Sequence, residues 1–144
     1  MIRLALEADI PRIVELGSQS LVDGPYRGEL DNTEQTTRFA LRVIRELGCV
    51  LLWEEDGQVT GLCGLIFCEH PFTGLRTAQE VMWYVEPGKR SGGAGLKLLW
   101  AAEAKAKALG AVILQATAPD ETIGSMYERF GFKRMEIAYQ KAIG

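Results

Sequence analysis

Between a run rich in Val, Trp and Tyr at residues 78–85 and a stretch dense in Leu, Ala, Lys and Glu at 96–109 stands the segment Val85-Glu86-Pro87-Gly88-Lys89-Arg90-Ser91-Gly92-Gly93-Ala94-Gly95. Its placement constrains the fold more than any other feature. The first run has the β-branched and aromatic residues of a strand, and the second has strong helix formers with Gly110 as its stop. The segment must therefore turn a strand into a helix. Glycines at 92, 93 and 95 permit positive φ and close approach of a ligand, while free N–H groups and the helix dipole favour an anion. Lys89 and Arg90 supply charge that a phosphate would meet. Glycine content alone fits a flexible Gly-Ser loop equally well; the position before a long helix is what argues for a bound anion.

Two familiar phosphate-binding turns do not fit. A P-loop needs Lys and then Ser or Thr after its last glycine, but Gly95 is followed by Leu96-Lys97-Leu98. A dinucleotide fold needs G-x-G-x-x-G after the first strand and an acidic residue about 20 positions later, whereas this turn comes late in the chain. The remaining sequence supplies the other elements. A short strand at 2–6 leads to a helix entered through Asp9 as cap and Pro11 in the first turn. A second helix runs from Thr33 to Leu47, with Gly48 just beyond its end. Strands at 49–53 and 59–68 flank Asp56-Gly57, a hairpin turn. After the glycine-rich turn and its helix come a buried strand at 112–116, a short helix at 122–130 and a closing strand at 134–143. The order β-α-α-β-β-β-α-β-α-β predicts an α+β fold, a mixed and mostly antiparallel sheet flanked by helices.

At 144 residues, 47% hydrophobic and 24% charged, the chain is sized for one domain spanning 1–144 with one sizeable core. Sixteen basic against nineteen acidic residues give a net charge of -3, which argues against general attraction to nucleic acid or an anionic membrane. No apolar run reaches the roughly 18 residues of a spanning helix, and Glu7 interrupts the amino terminus where a secretory leader needs apolar residues. A cytoplasmic location is the expectation. Cys49, Cys63 and Cys68 cannot all pair within one chain and read as reduced thiols. With the sole histidine, His70, they lack the paired spacing and fourth ligand of a zinc site, so no metal is expected.

Arg90-Ser91-Gly92-Gly93-Ala94-Gly95 matches, position by position, the signature Gln/Arg-x-x-Gly-x-Gly/Ala of the GNAT superfamily of acyl-CoA-dependent N-acyltransferases, which the chain resembles. Trp83-Tyr84-Val85-Glu86-Pro87 is similar to the family's fourth strand, and Met126-Tyr127-Glu128-Arg129-Phe130-Gly131-Phe132 to its fourth-helix block. The likeness is strong over residues 78–132 and only topological over the first 48.

The resemblance implies acetyl-CoA as acyl donor. Backbone N–H groups of Arg90, Ser91, Gly92, Gly93, Ala94 and Gly95 would hold its pyrophosphate, and Val85 would pair with pantetheine in a notch between splayed fourth and fifth strands. It also implies that Tyr127 protonates or hydrogen-bonds the departing thiolate; with no compelling cysteine-histidine pair, direct attack by the amine in a ternary complex is the expectation. An alkyl ammonium, with a pKa near ~10, must first lose a proton, and a carboxylate on the fourth strand is the natural acceptor. Glu80 is that candidate, although some members carry the base one position earlier, where this chain has Gln79. Regular alternation puts Glu80 on the face of Met82 and Tyr84 unless a bulge intervenes. The acceptor would be a small-molecule amine or a protein amino group, with Asp23, Tyr26, Arg27, Glu29 and Asp31 available to line its site. A homodimer is compatible with the resemblance. The alternative reading is a noncatalytic CoA-binding or interaction domain on the same fold; a nucleotide-phosphate binder is a third.

Overall fold

The computed structural model describes residues 1–24 and 32–144. Strand β1 (Ile2–Leu4) leads through a 3-10 turn at Glu7–Asp9 into helix α1 (Ile10–Asp23), whose second residue is Pro11, where a missing N–H costs nothing. Asp9 does not cap this helix. Its carboxylate accepts from the Leu6 N–H at 2.8 Å and pairs with Arg3, which ties β1 to the helix entrance. Helix α2 (Thr33–Arg42) is capped by Asn32, whose Oδ1 accepts from the Gln35 N–H at 3.0 Å, and it widens into a π turn at Val43–Leu47.

Strands β2 (Gly48–Glu55) and β3 (Gln58–Glu69) form the expected hairpin, with positive φ at both Asp56 (51°) and Gly57 (76°), the pairing that a primed turn requires. Gly48 is needed for a reason other than helix termination. Its φ is 178°, ordinary extended backbone, but a Cβ there would lie 1.9 Å from the Leu65 carbonyl oxygen. Strand β4 (Arg76–Val85), helix α3 (Ala94–Ala108), strand β5 (Ile113–Gln115) and helix α4 (Glu121–Arg129) complete the regular elements.

The five strands lie in sequence order, β1 to β4 antiparallel and β5 parallel to β4, as a crossover through α3 allows. Alternation sends Val50, Leu52 and Leu62 to one face, under Ile13, Val14 and Leu16 of α1 and Val43 after α2. Leu51, Cys63, Leu65 and Ala78 go to the other face, under Leu98, Ala102 and Ala106 of α3. Each fully buried leucine here contributes roughly 1.5–3 kcal/mol. Alanines along the inner side of α3 let it lie close to the sheet, which brings the preceding turn against the end of β4.

One expected element is missing. Residues 134–143 form no strand: the sheet ends at β5, and all of 133–144 is exposed. The period-2 pattern is present, but a strand is defined by a partner, and among the described residues no neighbouring strand takes it up. Among the described residues no helix is long and apolar enough to cross a membrane.

Candidate active site

β4 builds the site because its two edges differ. On one side it pairs with β3 along its whole length, Glu69↔Arg76 to Gly61↔Val85. On the other, β5 pairs only at Thr77↔Ile113, Ala78↔Leu114 and Gln79↔Gln115. From Glu80 to Val85 that second edge has no strand beside it, so the two strands open into a notch whose apex is Glu80.

A register shift between Gly64 and Leu65 decides where Glu80 points. Gly64 pairs with Met82 and Leu65 with Glu80, leaving Val81 as an extra residue. Met82 packs toward α1, within reach of Gly17, and Val81 lies over Gly64 next to Val50 on that same face. Glu80 therefore falls on the opposite face, the one that holds Leu65, Trp83 and Val85. Simple alternation would have grouped it with Met82 and Tyr84; the bulge reverses it. Gln79 turns the other way and is exposed.

Burial raises the Glu80 carboxyl to about 7 from its usual 4.5, opposed only by a 3.3 Å hydrogen bond that the Thr117 N–H donates to Oε2. Thr117 follows β5, so this bond spans the notch at its apex. Tyr127, on the buried side of α4, packs between Trp83 and Phe132, with ring centroids 5.7 and 4.9 Å away. Its hydroxyl is buried and has no hydrogen-bond partner among the described residues. Burial, and then the Glu80 charge nearby, push the phenol well above its ordinary range, so it stays protonated. Glu80 and Tyr127 are thus close enough for the carboxylate's charge to act on the phenol, an acid raised to about 7 and a hydroxyl that keeps its proton. Cys63, fully buried under the same face, is also pushed up by burial and then by Glu80, which leaves it a poor nucleophile.

At the open end, Pro87–Gly92 forms a 3-10 turn and Gly93 takes φ 75° as the first cap of α3, a conformation costly for other residues. No side chain caps α3, so none competes with an anion for the N–H groups of its first turn. Cβ atoms placed at Gly92 and Gly93 would meet nothing within 4 Å, whereas one on Gly95 would come into ordinary contact with Trp83 at 3.4 Å. Two anchors fix the turn: the Trp83 indole donates to the Gly95 carbonyl at 2.8 Å, and Arg90 Nε donates to the Val85 carbonyl at 2.7 Å. Arg90 also lies 5.4 Å over the Tyr84 ring. Of the two basic residues in the turn, Arg90 is folded back onto the strand end. Ser91 and Gly92 lie on the exposed rim, and Ala94 is buried beneath it.

The Trp83 and Thr117 contacts were not legible in the sequence. An indole N–H inside a strand needs a partner, which is the only signal of the first; a backbone donor such as Thr117 leaves no signal at all. Asp23 lies at the end of α1, where it accepts from the Tyr84 hydroxyl at 2.6 Å on the far side of β4 from Glu80. Tyr26, Arg27, Glu29 and Asp31 fall outside the described residues. His70 sits in the β3–β4 connection, its Nδ1 accepting from the Phe72 N–H at 3.2 Å. Among the described residues no three His, Cys, Asp or Glu side chains are grouped closely enough to hold a metal ion.

The acetyltransferase (GNAT) family model matches residues 18–132. A predicted acetyltransferase from Clostridium acetobutylicum, solved with acetyl-CoA, superimposes with a TM-score of 0.85 at 21% identity, covering 99% of this chain and 95% of that one. Ribosomal-protein-alanine N-acetyltransferase from Brucella melitensis biovar Abortus 2308 has a TM-score of 0.77 at 21% identity, over 100% and 99% of the two chains. Glucosamine-6-phosphate N-acetyltransferase from Arabidopsis thaliana also gives 0.77, at 17% identity, over 100% and 98%. At these identities the likeness establishes the fold. No curated protein sequence matches the chain.

Proposed function

The chain belongs to the acetyltransferase (GNAT) family, and from that premise we propose that it moves an acetyl group from acetyl-CoA to a primary amine by direct attack within a ternary complex. The observation that carries this reading is the pairing, at the apex of the notch, of a buried carboxyl raised to about 7 with a buried tyrosine hydroxyl that has no partner.

The chain's features suit acetyl-CoA. The uncapped start of α3 at Gly93 suits its pyrophosphate, and the bare edge of β4 from Glu80 to Val85 suits an extended amide chain such as pantetheine. The Tyr127 hydroxyl lacks the acceptor that a buried donor requires, as a site awaiting a ligand would. When bound, acetyl-CoA supplies the acetyl group already activated as a thioester. Glu80 takes a proton from the incoming ammonium at Oε1 or Oε2; with its pKa near 7 it is about half ionised at neutral pH and more basic than an ordinary carboxylate. Tyr127 holds a proton at Oη for the departing sulfur, and the neighbouring Glu80 charge keeps that proton in place beforehand. The protonated Cys63 argues against an acyl-cysteine route. All three cysteines are free, in keeping with a cytoplasmic setting.

Calorimetry with acetyl-CoA and with ATP, followed by thiol release over a panel of small amines and peptide amino termini, tests the reading. Saturable acetyl-CoA binding and turnover with at least one amine class are expected. Binding without any turnover would point to a noncatalytic CoA-binding domain, and preference for ATP would reject both.

A further inference from the structure

We propose that Arg90 decides which acyl carriers the notch accepts: it occupies the Val85 carbonyl and gives way only to a ligand that carries a diphosphate. Given the acetyl-CoA reading above, on which this rests, Arg90 tells that ligand from a plain pantetheine thioester. The Glu86 N–H donates to the Thr60 carbonyl of β3 at 2.9 Å, and the Tyr84 carbonyl oxygen lies on the same side, 3.2 Å from where a Cβ on Gly61 would stand. Neighbouring residues of a strand turn their backbone groups to opposite edges, so Val85 directs its carbonyl to the bare edge of β4. That carbonyl is the last acceptor on the edge along which an extended amide chain would pair. It already has a partner. Arg90 Nε donates to it at 2.7 Å, which puts a cationic side chain at the open end of the notch.

Arg90 is held on one side and open on the other. Its guanidinium lies 5.4 Å over the Tyr84 ring, and Tyr84 is itself fixed by donating to Asp23 at 2.6 Å. Yet Arg90 is exposed, so its guanidinium can leave without opening the core. A hydrogen bond from a charged donor is stronger than a neutral one, so an amide N–H of pantetheine cannot replace it without loss. A diphosphate changes the balance. Held at the uncapped start of α3, it brings its charge to the turn that carries Arg90, Pro87–Gly92. Arginine pairs better with phosphate oxygens than with a neutral carbonyl, and the carbonyl is then left to the ligand's amide. A pantetheine thioester without phosphate offers no such exchange, and against it the bound Arg90 is a built-in competitor.

Calorimetry of the full chain with acetyl-CoA and with S-acetylpantetheine tests this. Arg90→Met keeps an apolar stem beside Tyr84 and removes the donor. That variant should bind S-acetylpantetheine at least about tenfold more tightly than the unaltered chain, because one charged hydrogen bond no longer has to be broken, and acetyl-CoA no more tightly. A second measurement does not depend on the variant's folding. Excess inorganic pyrophosphate should strengthen S-acetylpantetheine binding to the unaltered chain by about fivefold or more, since it engages the guanidinium first. A variant that binds S-acetylpantetheine no better than the unaltered chain, one that gains equally for both ligands, or pyrophosphate that fails to strengthen S-acetylpantetheine binding would each overturn the proposal while acetyl-CoA binding stood. An unaltered chain that binds no acetyl-CoA would overturn both the proposal and the reading beneath it.

Discussion

The proposed chemistry rests on two side chains whose surroundings disagree with their ordinary behaviour. Tyr127→Phe should lower kcat by about 100-fold with little change in acetyl-CoA affinity, the size of a lost general acid. The same change should leave the melting temperature equal or higher, because it removes a buried hydroxyl with no partner. A tyrosine whose hydroxyl served only the fold would give the opposite result on heating. For Glu80, native carboxyl affinity for protons exceeds that of the unfolded chain, about 7 against 4.5. Its favourable contribution is complete below pH 4.5 and is lost as pH rises through 7. Glu80→Gln should therefore stabilise the protein at pH 8 by up to about 3 kcal/mol, at about 1.4 kcal/mol per pKa unit, and have no such effect at pH 4. In the unaltered enzyme kcat/KM should rise with pH to a plateau above about pH 7, as base chemistry requires. A profile with no inflection near 7 would remove Glu80 from that role.

Among the elements, Gly48 makes the sharpest prediction. Gly48→Ala should cost more than about 3 kcal/mol, measured by urea unfolding, since a methyl 1.9 Å from the Leu65 oxygen forces β2 and β3 apart. This residue also shows what the sequence conceals. A glycine after a helical run reads as a helix stop, and only the approach of a neighbouring strand reveals its purpose. The elements themselves were largely legible, because hairpin turn chemistry at Asp56-Gly57, the glycine-rich turn and the Ala-Leu helix are local signals. The face of Glu80 was not, because a bulge depends on how β3 pairs and leaves no mark in the alternation of β4. The strand expected at 134–143 failed for a related reason: its pattern is local, and its partner is not.

At the scale of the whole molecule, two helical layers clamp a sheet that is continuous on one side of β4 and parted on the other. Filling the parted side should tie α3, β4 and β5 together. With acetyl-CoA at about 100 times its Kd the protein should gain roughly 2.7 kcal/mol. Amide exchange should slow in peptides covering 80–85, where the bare edge lies. Equal exchange rates in those peptides with and without ligand would show that the notch is not where it binds. The surplus residue at Val81 carries a last implication. Positions 80 and 82 are two apart in the chain, a spacing that normally shares a face, yet they belong to opposite sides of the sheet. Removing the surplus residue would turn the acid toward α1, so a designer who grafts this proposed base onto another scaffold must carry over the miscount along with the glutamate.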